Sequence, residues 1–175
     1  MDSRLQRLQE EIASAVAGLS AEQLSWHPPG KWCAAEILEH LYLTYTGTVK
    51  GFERVVAAGK PLGTAQSWAQ RRRTLVVVGL GYFPSGREAP PMARPRGLPR
   101  EQVLAEIGPK IAEMDEIIAR CEEKMGPGGK LLDHPVLGPL TATQWRKFHL
   151  VHGLHHVKQL RRLRRLRRGD LNGTN

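Results

Sequence analysis

At 175 residues the chain has the length of one ordinary domain, enough to bury roughly 70% of the surface exposed by its unfolded form in a single core. Its two cysteines, Cys33 and Cys121, are too few for a disulfide framework and form no CxxC metal clip, so a reducing compartment is expected. The formal charge of +9 is uneven: the residues after Leu160 hold six arginines and one aspartate, +5 of the total, so an acidic partner, nucleic acid or anionic membrane, would be sought at the tail.

The N-terminal stretch MDSRLQRLQEEIASAV lacks the apolar core of a signal peptide, and its Leu5, Leu8, Ile12, Val16 and Leu19 recur at helical spacing, which predicts a first helix over 3–19. Pro28, Pro29 and Gly30 interrupt it. A second helix starts near Cys33, carries Ile37, Leu41, Tyr45, Val49, Phe52 and Val56 on one side, and stops at Gly59-Lys60-Pro61. Between Leu62 and Pro99 the pattern weakens. The run SWAQRRRTLVVVGLG fits a short helix or an extended piece, and five prolines from Tyr82 through Pro99 predict an irregular, wrapped segment. The apolar run LVVVGLGYF is also far short of the ~20 residues of a membrane helix, so a cytoplasmic protein without a membrane span is expected.

A third long helix runs from Pro99 to Met125, with Val103, Ile107, Ile111, Met114, Ile117, Ile118 and Cys121 marking its buried side, and GPGG ends it. DHPVLGPL reads as a loop. Thr141 is the expected N-cap of a last helix from Ala142 to about Arg168. Four long helices joined by loops predict an all-α, antiparallel four-helix bundle, with a single domain over 1–160 and a basic, arginine-rich tail over 161–175.

The last helix contains KFHLVHGLHHVKQL, with four of the chain's seven histidines in eight residues. At about 100° per residue, His149, His152 and His156 fall within roughly 60° of one another, and His155 points further round. His152 and His156, four apart, can offer two imidazoles to one ion, and Gly153 between them leaves room for a neighbouring helix. The candidate third ligand is His40, the lone histidine of the second helix, beside a core stripe where an unpaired imidazole is costly. Three neutral histidines would leave a divalent metal an open position for chemistry. Zinc and nickel suit imidazole best, with iron and manganese as the other candidates. His149 and Glu36 are candidates for support around the ligands, His155 for solvation beside acidic groups or water, and His27 and His134, each followed by proline, for loop positions.

WCAAEILEHL with His40, followed more than a hundred residues later by HGLHHVKQ, resembles the DinB/YfiT-like superfamily of metal-dependent enzymes, and HPVLGPLTATQW resembles one uncharacterised branch of it. The resemblance implies His40, His152 and His156 as ligands with Gln159 beside them, an up-down-down-up bundle, a homodimer, and a small-molecule substrate transferred with the help of a low-molecular-weight thiol. One departure is Cys33, where that pattern has serine or threonine after the tryptophan. With Glu36 it completes a capping box of weak acceptor strength, or it is a thiol activated by the helix N-terminus.

Two classes of function follow. One is a metal-dependent transferase or hydrolase, using the ion to activate a thiol or water. The alternative is a non-catalytic metal-binding protein, or an interaction protein whose basic C-terminal helix contacts nucleic acid or another anionic partner. The tail has no groove-reading motif and no interleaved aromatic residues, so nucleic acid is the poorer expectation.

Overall fold

A computed structural model of the chain describes residues 1–84, 86 and 88–172, without the side chains of 168–172. The tail side chains from Arg168 onward, and residues 173–175 altogether, therefore lie outside the described residues. The molecule is mostly helical: α1 (Ser3–Val16), α2 (Ala21–Ser25), α3 (Ala34–Ala58), α4 (Trp68–Thr74), α5 (Arg100–Met125) and α6 (Ala142–Asn172), with a two-stranded sheet of β1 (Leu132–His134) and β2 (Gly138–Leu140). A π-helical turn, Leu75–Gly79, continues α4, and a short 3-10 turn, Pro91–Ala93, lies in the proline-rich segment.

Three of the four long helices begin where the sequence supplies a side-chain cap; α5 follows Pro99 without one. The Asp2 carboxylate accepts from the Arg4 amide at 3.0 Å to start α1, and Thr141 and Gln144 exchange side-chain and backbone bonds to start α6. At α3 the Cys33 amide donates to Glu36 at 2.8 Å, while the Glu36 amide reaches Cys33 Sγ at 3.5 Å. Gly59, at φ 62, ends α3 in the left-handed conformation that glycine adopts without steric cost.

The buried faces follow the apolar spacing: Leu5, Leu8 and Ile12 on α1, Tyr45 and Phe52 on α3, Met114 and Ile118 on α5. α1 packs on α6 and α3 on α5, around one core to which all four contribute. Burying each of the large side chains contributes about 1.5–3 kcal/mol. Buried Arg146 near the start of α6 bonds Asp115 at 2.7 Å and Glu122 at 2.5 Å on α5, and the Asp2 amide donates to the same Asp115 carboxylate at 2.6 Å. α6 is thereby held to α5 and to the chain's start, and runs past residue 160 without a break.

The structure departs from the all-α expectation at DHPVLGPL, which is not a loop but a hairpin pairing Leu132 with Leu140 and His134 with Gly138. Three-residue strands are too short to reveal a period of two. α1 ends at Val16 instead of Leu19, and the expected break before Pro28 contains α2, started by a Ser20–Gln23 capping box. Of the two readings of SWAQRRRTLVVVGLG, the helical one holds. Among the described residues, no helix is long and apolar enough to cross a membrane.

Candidate metal centre

On α3 the apolar stripe of Ile37 and Leu41 faces the core, so His40, between them, is carried inward. On α6, His152 and His156 lie one turn apart on the side facing α3. The glycine between them allows that approach on the other flank: a side chain at Gly153 would run into the terminal carbons of Leu8 on α1.

The three imidazoles converge. His40 Nε2 lies 3.3 Å and His156 Nε2 3.1 Å from His152 Nε2, and one nitrogen from each ring falls within 4.8 Å of the others. Two nitrogens bound to one tetrahedral zinc at its usual bond lengths would stand about 3.3 Å apart. The tautomers are set from outside: His40 Nδ1–H donates to the Ala93 carbonyl at 2.8 Å, and His156 Nδ1–H to Gln159 Oε1 at 2.8 Å. Both Nε2 lone pairs therefore point at His152, whose Nε2 can carry only one proton. His152 Nδ1 is buried without a partner. Lone pairs in excess of protons are a donor set suited to a cation.

Burial keeps the cluster neutral. It lowers the pKa of His40 against the opposing effect of the Ala93 hydrogen bond, takes His156 down to about 3, and with the other imidazoles depresses His152 well below the ordinary histidine value. Neutral imidazole is the form that binds metal. Aromatic walls enclose the site: Phe148 stacks on His152 at 5.5 Å and 7°, Phe83 lies 5.0 Å from it, and Trp32 lies 5.3 Å from His40.

The other candidates go elsewhere. His149 is fully buried, stacks on Trp145, and donates from Nε2 to Thr48 Oγ1 at 3.1 Å, so it is not part of the cluster and is no substitute ligand. Glu36 caps α3 through the Cys33 amide and is not bonded to a ligand histidine. His155 is half-buried against Phe83 and accepts from the Gln159 amide at 3.2 Å, in place of the solvated position beside acidic groups or water that was expected. Gln159 thus joins His155 and His156. His27 is an exposed loop residue, but His134 is not: it closes β1, packs on Phe148 at 4.4 Å, and accepts from the Val136 and Leu137 amides through Nδ1. Cys33 is buried, its Sγ accepts weakly from the Glu36 amide, and burial pushes its thiol up, all of which favours the weak cap over the activated thiol.

Two supporting groups escaped the sequence reading. The Ala93 carbonyl has no side-chain signature at all. Glu39, beside His40 and buried, accepts from the Arg96 amide at 2.6 Å and the Gly97 amide at 3.1 Å, fastening the segment that presents Ala93 to His40. Its signal was a carboxylate within the buried run Ile37–Leu41, where a charge requires partners.

The cluster opens into a cleft of about 1960 Å³ between α3, α6 and the 62–99 segment. Residues 1–163 match the model of a family described as a protein of unknown function, DUF1569. No curated protein and no solved structure matches the chain.

Proposed function

The chain belongs to the DUF1569 family, and we propose that it is a metal-dependent enzyme in which His40, His152 and His156 hold a divalent ion, zinc or nickel before iron or manganese, at the base of the cleft. The observation that carries this reading is the convergence of three Nε2 atoms at 3.1 and 3.3 Å with two of the rings already turned by outside acceptors. Three neutral ligands would leave coordination positions open toward the cleft. The ion would supply Lewis acidity there, lowering the pKa of a thiol or of water.

The chain's own groups do the rest. Ala93 and Gln159 orient the two outer imidazoles. Phe148, Phe83 and Trp32 exclude bulk water from the cluster and give an apolar surface for a small-molecule substrate. Within this reading the long helices form an up-down-down-up four-helix bundle of the DinB/YfiT-like kind, and the molecule pairs as a homodimer. The packing of α1 on α6 and α3 on α5 supports the bundle, and the position of the histidines on α3 and α6 supports the kinship. Of the two reactions, transfer of a low-molecular-weight thiol to an electrophile is favoured over hydrolysis by that kinship and by the absence, among the described residues, of a carboxylate bonded to the ligand cluster.

The test begins with bound metal, measured by mass spectrometry on tag-free protein purified without chelator. About one divalent ion per chain, lost in both His40→Ala and His152→Ala, supports the centre. Protein that stays empty after incubation with zinc, nickel and manganese rejects it. Metal-dependent conjugation of a thiol to a chromogenic aryl halide then supports transfer, whereas ester cleavage without conjugation assigns hydrolysis.

A further inference from the structure

The charges around the cleft are not balanced. Lys31 lies next to Trp32, whose ring packs on His40, while Lys158 and Arg162 follow His156 by two and six residues along α6, about 3 and 9 Å further along its axis. All three are exposed cleft-lining residues, and none is in an ion pair among the described residues. Arg54 and Arg73 line the same cleft at its other end, equally without a carboxylate partner.

The acidic groups of the lining do not offset them. Glu36 accepts from the Cys33 amide, Asp133 accepts from the amide and hydroxyl of Thr64 at 3.0 and 2.7 Å, and Glu88 is paired with Arg94 at 2.7 Å. These bonds leave the carboxylates charged, but seven lysines and arginines line the cleft against three carboxylates, a net +4. A concave surface with low-dielectric aromatic walls and cations of one sign at its rim concentrates anions.

We infer that the cleft takes a small organic anion, an apolar body carrying a carboxylate, phosphate or sulfonate, with the anionic group held by Lys31, Lys158 and Arg162 and the body directed along Trp32 and Phe83 toward the histidines. This names the substrate class for the reading above and rests on it for the word substrate. The selection of anions itself needs no metal. A cation at the base would add to the attraction without changing its sign.

The experiment uses two fluorescent probes of nearly the same shape, anilinonaphthalene sulfonate and neutral N-phenylnaphthylamine, titrated into the full chain with and without zinc. The expected result is at least about tenfold tighter binding of the sulfonate, falling with added salt. The double variant Lys158→Glu with Arg162→Glu abolishes the preference, whereas Lys50→Glu with Arg165→Glu, reversing the same charge away from the cleft, preserves it. Equal affinity for the two probes, or a preference unmoved by the cleft reversal, overturns the inference. A preference retained in His152→Ala supports it even where zinc fails to bind, and separates its fate from that of the metal centre.

Discussion

Gln159 accepts the Nδ1 proton of His156 through Oε1 and donates to His155 through Nε2, so its amide cannot turn over without losing both bonds. Replacing it with leucine frees the His156 ring while leaving all three ligands in place. Outer hydrogen bonds of this kind are worth about 10–100-fold in metal affinity. Gln159→Leu is therefore expected to weaken zinc binding by that factor in competition with a chromophoric chelator, against complete loss in His152→Ala; an unchanged affinity would remove Gln159 from the site. The cluster of His40, His152 and His156 was legible because histidines four apart on a helix must share a face, and because His40 stood on an otherwise apolar stripe. His149 shared the same spacing and yet faces Thr48, since a difference of about 40° in helical direction, invisible without the neighbouring helices, separates a ligand from a core residue.

At the scale of elements, the segment holding His40 from behind and the hairpin beside α6 were the parts hidden from sequence reading. Both depend on contacts between residues far apart in the chain. Glu39→Ala releases the Arg96 and Gly97 amides and with them the register of the Ala93 carbonyl, so faster hydrogen exchange at 96 and 97 should accompany zinc affinity about tenfold weaker. Affinity that falls without any change in exchange would mean that Glu39 acts otherwise. In the hairpin, the unprotonated Nδ1 of His134 accepts two backbone amides, and burial takes its pKa down to about 4 from the ordinary 6.5. The unfolded chain then binds a proton more readily than the folded one. Stability due to this group is complete above pH 6.5 and is lost as pH falls from there toward 4, by up to about 3 kcal/mol. His134→Asn keeps an acceptor but does not titrate, so urea unfolding should show a shallower acid dependence between pH 6.5 and 4 than the wild type; parallel curves would sink the assignment.

In the whole molecule, the four long helices could be read because each buries a single face, and the starts and stops marked by caps were read with them. The end of α1 was missed because the apolar spacing continues past Val16 to Leu19 while the chain turns at Ala17 and Gly18. What the sequence could not supply is the part of the α3–α6 contact outside the histidine cluster, Thr48 with His149 and Phe52 with Trp145. α6 is fixed at its start by Arg146 and along its length by α1, and its meeting with α3 also runs through the clustered histidines, whose lone pairs oppose one another unless something positive lies between. An ion there would bind the folded chain alone and link two helices over a hundred residues apart in sequence. Zinc at a thousand times its dissociation constant should then stabilise the fold by about 4 kcal/mol, which for a chain of this length is a rise in Tm of about 10 °C. His40→Ala removes the α3 side of the link and should remove the rise while leaving a folded protein. By contrast, the ion pair of Arg161 with Glu11 lies at the surface, so Arg161→Ala should shift stability by no more than about 1 kcal/mol, with or without zinc. A rise that survives in His40→Ala would place the ion on α6 alone, and the bridge between the helices would have to be sought in their apolar contacts.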